Sequence, residues 1–190
     1  MTEIVNLYNY IINTYGIWWI VGQAFGIIAT VFGFISFQMR TPKSILIIQC
    51  CVSGAFVFHY LLIGAYVGMA MNFVCIIRNL VYDRTNTAGK GGRIALIVFV
   101  ALQFTLGLVF WENWYSIFPL LGSIAATCAL SMRNPQNVRR GILIAAPLVF
   151  AYDILTIAIG GIIYEPVAMA SALIGLIRNR KKATDAADAS

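Results

Sequence analysis

Apolar residues run through this chain in long stretches that polar positions interrupt only briefly. Ile17–Phe37, Ile94–Phe110 and Ile117–Met132 are clear runs. Two further stretches, Ser44–Tyr82 and Gly141–Ile177, are too long for one element each. At 1.5 Å per residue, one helix over the first would extend about 58 Å, about twice the hydrocarbon thickness of a bilayer. The basic residues resolve this, because Lys and Arg near span ends mark the cytoplasmic side. Arg40 and Lys43 precede the first long stretch, and Arg78, Arg84, Lys90 and Arg93 close it. An even number of spans must lie between two clusters on the same side. Ser44–Ile63 therefore leads out and Ala65–Tyr82 returns, turning near Gly64. Two more spans turn through Trp111–Ser116, and the last two turn near Gly160–Pro166. One span precedes Arg40. The pattern predicts an all-α integral membrane protein with seven transmembrane helices, its N-terminus outside and its C-terminus cytoplasmic.

Composition agrees and excludes the soluble classes. The chain is 61% hydrophobic and 11% charged, where soluble domains hold about 45–50% apolar and about 25% charged residues. A net charge of +6 would suggest nucleic acid in a soluble protein. Here all thirteen Lys and Arg fall on the cytoplasmic side of the predicted topology, so no nucleic-acid partner is expected. Glu3, Glu112 and Glu165 fall outside, and Trp18, Trp19, Trp111 and Trp114 form a belt at the outer boundary. Residues 1–16 show 3.6-residue periodicity and predict an amphipathic helix on the periplasmic surface. No basic n-region or cleavage site precedes the first run, so no signal peptide is expected. Cys50, Cys51, Cys75 and Cys128 lie within apolar runs, and neither a disulfide framework nor a metal-ligand spacing emerges. No cofactor is expected. Gly89–Arg93 lacks the spacing of a phosphate loop and reads as a cytoplasmic linker.

The corner "MRTP" after the first run returns as "MRNP" 93 positions later. "VFHY" at Val57 is followed in the second half by "VFAY" at Val149, and "CIIRN" ending at Asn79 by "GLIRN" ending at Asn179. The order is the same in both halves, with about seven extra residues assigned to the last outer turn. Residues 17–82 and 117–178 then form two three-helix bundles, with 94–110 as a linker helix, 83–93 as a cytoplasmic loop and 179–190 as a cytoplasmic tail. This is a 3+1+3 parallel repeat, an arrangement used by transporters.

The plan resembles the SWEET, PQ-loop and PnuC transporters. More specifically, "ISFQMRTPKSILIIQ" and "FHYLLIGAYVGMAMNFVCIIRNLVY" resemble the YgjV family of bacterial inner-membrane proteins. The resemblance implies fold and compartment, and function only by analogy. The Pro-Gln pair of SWEET and PQ-loop proteins is absent: Gln38 follows Phe37, and Ser131 stands in the second copy. Pro119 does lie in the fifth span. Asn72 matches a SWEET asparagine, whereas Ala172 occupies the other position.

A catalytic reading finds little support, with a single His and no nucleophile motif, so no enzyme activity is expected. Polar groups at membrane depth are costly and face a cavity or a partner. Asp153 reads as the only acid within a span, with His59 at nearly the matching place in the first half. Asp153, His59, Asn72, Tyr60 and Tyr152 are candidates for a substrate or proton path, and the similar depths of Asp153 and His59 leave open whether the two contact each other across it. Arg78 and Arg178 read either as an inner gate or as side chains snorkelling to the cytoplasm. Gln38 and Gln49 read as packing groups, as does the Gly22–Gly26 pair. The expected function is a transporter or facilitator of a small polar metabolite, such as a sugar or vitamin precursor, by alternating access between the bundles. The alternative is a scaffold or regulator that keeps only the fold. The expected partners are the lipid bilayer, an unidentified small-molecule substrate and further copies of the chain.

Overall fold

The computed structural model describes residues 12–38, 42–84, 90–132 and 135–188. The predicted surface helix at the N-terminus lies mostly outside the described residues. Seven long helices follow: α1 (Ile17–Gln38), α2 (Pro42–Leu62), α3 (Tyr66–Arg84), α4 (Lys90–Val109), α5 (Ile117–Ser131), α6 (Pro135–Thr156) and α7 (Ile159–Asp188). A 3₁₀ turn, Trp114–Ser116, leads into α5. No strand occurs among the described residues. Helix is what an apolar solvent demands, because it satisfies the backbone within each segment. By length and apolarity alone, four segments can cross a membrane: Ile17–Ser36, Lys90–Val109, Trp114–Ser131 and Ile159–Arg178.

α1 packs on α2, α2 on α3, α3 on α5, α5 on α6, α6 on α7, and α7 back on α1. Six helices thus close into a ring. α4 packs on α3 and α5 from outside it. Its buried residues Gly92, Phe99, Gln103 and Gly107 form one stripe, while Ile94, Ile97 and Val109 are more than 60% exposed. Gly107 lets Leu120 of α5 approach, and buried Gln103 donates to Ser123 and Thr127 at 2.8 Å each. Close approach at small residues and interhelical hydrogen bonds are how helices associate where lipid removes the hydrophobic drive.

The α1–α7 contact relies on glycine in the same way. A side chain on Gly160 would collide with the backbone of Gly26. Thr30 donates to the carbonyl of Gly160 at 2.8 Å. The Gly22–Gly26 pair is therefore a packing feature, as read from the sequence.

The two hairpin turns are built alike. Gly64 has φ +79 and closes α2–α3, with Gly64 N–H on the Leu61 carbonyl at 3.3 Å and Ala65 N–H on the Tyr60 carbonyl at 2.8 Å. The α6–α7 turn repeats both bonds 93 residues later, Ile157 N–H to Ile154 at 3.3 Å and Ala158 N–H to Asp153 at 2.8 Å. This turn corrects the expectation of a reversal near Gly160–Pro166. The chain reverses at Ile157 and Ala158, and Gly160–Pro166 lies within α7. Gln23 of α1 holds the reversal. Its Nε2 donates to the Ile157 carbonyl at 2.7 Å, and its Oε1 accepts the Ile159 N–H at 3.0 Å. Pro166 is tolerated inside α7, as membrane helices often allow.

Candidate functional site

The ring encloses a cavity of about 1050 Å³. Its walls come from α1, α2, α3, α5, α6 and α7; α4 contributes no lining residue. The lining runs from Tyr60, Gly68 and Pro119 near the hairpin turns to Tyr82, Val138 and Arg178 near the opposite ends of their helices.

At the turn end the cavity meets a buried polar lid. Tyr60 lies in the wall, and its hydroxyl donates to Asp153 Oδ1 at 2.6 Å. Asp153 and Tyr152 are fully buried behind it. The Tyr60 and Tyr152 rings sit 6.0 Å apart, and the Gly68 N–H donates to the Tyr152 hydroxyl at 3.3 Å. Glycine makes both contacts fit. A Cβ on Gly68 would stand 2.9 Å from the Tyr60 ring, and one on Gly161 would strike the Asp153 carboxylate. Asp153 Oδ2 has no hydrogen-bond partner.

His59 does not face Asp153 across a path. Its Nδ1 lies 2.7 Å from the Gly22 carbonyl of α1. A carbonyl only accepts, so Nδ1 carries the proton. Gly26 gives the ring its room, as a Cβ there would stand 2.8 Å from Nδ1. His59 is fully buried and contributes nothing to the cavity lining. It thus ties α2 to α1, and the open question of an Asp153–His59 contact is answered by Asp153 meeting Tyr60 instead. The reason is register. Asp153 stands 93 residues after Tyr60, the spacing that relates the two turns, whereas His59 is one residue off and points to another face.

Of the remaining predicted residues, Asn72 lines the cavity, with its amide donating to the Gly68 carbonyl one turn back at 3.0 Å. Arg78 also lines it and is only 7% exposed. Its guanidinium donates to Thr127 at 2.9 Å and to Asn79 at 3.0 and 3.2 Å, so this arginine does not snorkel. Arg178 lines the wall as an exposed side chain. Tyr60, Asn72, Arg78 and Arg178 therefore share one cavity, while Asp153, Tyr152 and His59 stand behind its wall.

Two charged lining residues escaped the sequence reading. Glu165 was assigned outside the membrane, but it sits two turns into α7 and faces the cavity. Asp153 is therefore not the only acid within a predicted span. The signal was available, since Glu165 follows Asn72 by the same 93 positions. Arg139 of α6, counted only as a topology marker, lines the cavity too, and its Nη1 is buried without a hydrogen-bond partner.

Outside the helices, Glu112 accepts the Tyr66 N–H at 3.3 Å. Burial pushes the Glu112 carboxyl above its ordinary range, opposed by that hydrogen bond. Tyr66 and Ile159 each begin the second helix of a hairpin. The first N–H of α7 is thus met by a side chain of α1, and that of α3 by one from the α4–α5 connection.

No curated protein and no solved structure matches the chain. A sequence model of one family, described as a bacterial inner membrane protein, matches residues 20–183. With most of its length inside that match, and with apolar helices long enough to cross a bilayer, the chain belongs to the Imp-YgjV family and is a protein of the bacterial inner membrane.

Proposed function

We propose that this protein is a small-molecule transporter or facilitator that works by alternating access between α1–α3 and α5–α7, with no enzymatic step. The observation that carries the reading is the cavity of about 1050 Å³ between the two halves. It is of the size of small-ligand sites, roughly 300–1,000 Å³. It has a polar lid at one end and reaches arginines at the other. All seven helices span the bilayer in this reading, with the hairpin turns and Trp111–Ser116 outside and the arginines toward the cytoplasm. The halves form a 3+1+3 parallel repeat. The matched turns support this, as do the paired contacts: α1 packs on α7 as α5 packs on α3. In this register Tyr60 corresponds to Asp153 and Asn72 to Glu165. The alignments of VFHY with VFAY and of CIIRN with GLIRN then lapse, as do the seven extra residues of the last turn.

A scaffold or regulatory role draws support from the buried Tyr60–Asp153 and His59–Gly22 bonds, which a fold could keep for stability alone. Accessibility separates the two readings without a known solute. In a background with Cys50, Cys51, Cys75 and Cys128 replaced, Asn72→Cys is labelled with impermeant maleimide from each side of the membrane in turn. Alternating access expects labelling from both sides. Labelling from the cytoplasm alone, unchanged on warming, would leave only the scaffold.

A further inference from the structure

We propose that the solute is a small organic anion whose carboxylate or phosphate group is held between Arg78 and Arg139. This rests on the transporter reading of the same cavity.

The charges of the wall are unbalanced. Three described lining residues are cationic, Arg78, Arg139 and Arg178, against one acid, Glu165. Glu165 lies ten residues before Gly175 on α7, and Gly175 is where the Arg139 guanidinium packs. Ten helical residues extend about 15 Å, too far for Glu165 to pair with Arg139. The hydrogen-bond partners of Arg78 are the neutral oxygens of Asn79 and Thr127. A buried cation with only neutral partners is costly, and so is a buried guanidinium N–H with none. An entering anion relieves both.

Guanidinium also offers carboxylate and phosphate a fork of donors. Thr127 and Asn79 anchor part of Arg78. The missing side chain of Gly175 gives Arg139 its seat, as a Cβ there would stand 3.0 Å from Cζ. The two arginines come from opposite halves, Arg78 from α3 and Arg139 from α6. An anion between them therefore bridges the halves that alternating access must move. Beyond them Glu165 and Asn72 offer acceptors and an amide toward the turn end, where hydroxyl or amino groups of the same solute would lie.

The purified protein in detergent is heated at constant ionic strength with inorganic phosphate or citrate, and with glucose or putrescine as neutral and cationic controls. The expected result is a saturable rise in melting temperature with phosphate or citrate at low-millimolar concentration, and none with the controls. Arg78→Gln should weaken the apparent affinity about tenfold or more, as should Arg139→Gln, while Arg93→Gln, at an exposed position of α4 away from the cavity wall, should leave it nearly unchanged. Arg78→Lys, which keeps the charge, should restore part of the effect where Arg78→Gln folds poorly. Equal stabilisation of wild type and the Arg78→Gln/Arg139→Gln variant would overturn the proposal, as would none in wild type. Stabilisation by phosphatidylglycerol in nanodiscs, without any from phosphate or citrate, would overturn it in favour of a lipid site. The transporter reading stands or falls separately. Binding without labelling of Asn72→Cys from both sides would remove transport and keep the anion site. Two-sided labelling without anion binding would do the reverse.

Discussion

Tyr60 and Asp153 share one hydrogen bond that holds two helices together and, in the proposed transporter, closes the outer end of the cavity. The carboxylate is fully buried, holds the Tyr60 hydroxyl at 2.6 Å through one oxygen, and has no partner for the other. Tyr60→Phe leaves both oxygens unpaired, which costs about 1–3 kcal/mol at a buried site. Asp153→Asn keeps an acceptor for Tyr60 and should cost less. The expected outcome is a lower melting temperature for Tyr60→Phe than for Asp153→Asn. Tyr60→Phe should also raise labelling of Asn72→Cys from the periplasmic side. A wild-type melting temperature and labelling rate for Tyr60→Phe would reduce the bond to an incidental contact. Glycines offer a second comparison. Gly161→Ala drives a methyl group into the Asp153 carboxylate and should abolish a folded size-exclusion peak. Gly54 has open space around the position of a Cβ, so Gly54→Ala should stabilise by about 0.5–1 kcal/mol, the helix penalty of glycine. The cavity residues Asn72 and Arg78 were legible from the sequence because polar groups in apolar runs stand out. Glu165 was not, because Gly160, Gly161 and Pro166 around it look like a turn.

That misreading belongs to the element scale. Gly64 announces its turn, since glycine enters the left-handed region at little cost. Ile157 does the same work with φ 54, a conformation that a β-branched residue rarely adopts. Local propensity therefore points to the wrong place, and the tertiary clamp from Gln23 decides. The expected consequence is strain of roughly 1–2 kcal/mol at Ile157. Ile157 is 44% exposed, so Ile157→Gly loses little packing. It should stabilise by about 1 kcal/mol after the entropy of glycine is set against the relieved strain. Gly64→Ala should destabilise by a similar amount. Both are checked by thermal unfolding in the same detergent. An unstable Ile157→Gly would mean that the side chain, not the backbone, holds this turn. The seven long helices were legible apart from the α6–α7 boundary, because the Lys and Arg clusters divided stretches that hydropathy alone left fused. The ring order was not legible, since nothing in a single helix states which neighbour it will meet.

At the scale of the whole molecule, the proposed topology rests on the one-sided Lys and Arg and can be checked first. In the cysteine-free background, Asn113→Cys should react with impermeant maleimide added to the periplasm, and Lys90→Cys should not. Reaction at position 90 from that side would invert the assignment of lid and arginine end. With that orientation, the structure has its cavity reaching the cytoplasmic ends of the helices, and its closure lies at the periplasmic end. Two contacts cross between the halves there, Tyr60 to Asp153 and Gln23 to the α6–α7 turn, and a third ties Tyr66 to Glu112 in the α4–α5 connection. Opening to the periplasm must break at least the first two. At the arginine end the halves meet through Arg78 of α3 and Thr127 of α5, so the outer contacts can part while this one holds. A tether between α1 and α7 at the outer end therefore tests the mechanism directly. Gln23→Cys and Ile159→Cys, joined by a short bifunctional thiol reagent and combined with Asn72→Cys labelled afterwards, should hold the outer end shut. Labelling of position 72 from the cytoplasm should persist, and labelling from the periplasm should vanish. A reducible linker should restore it on cleavage. Periplasmic labelling that survives the intact tether would show that the halves do not part at this end, and the lid would then be a fixed part of the fold.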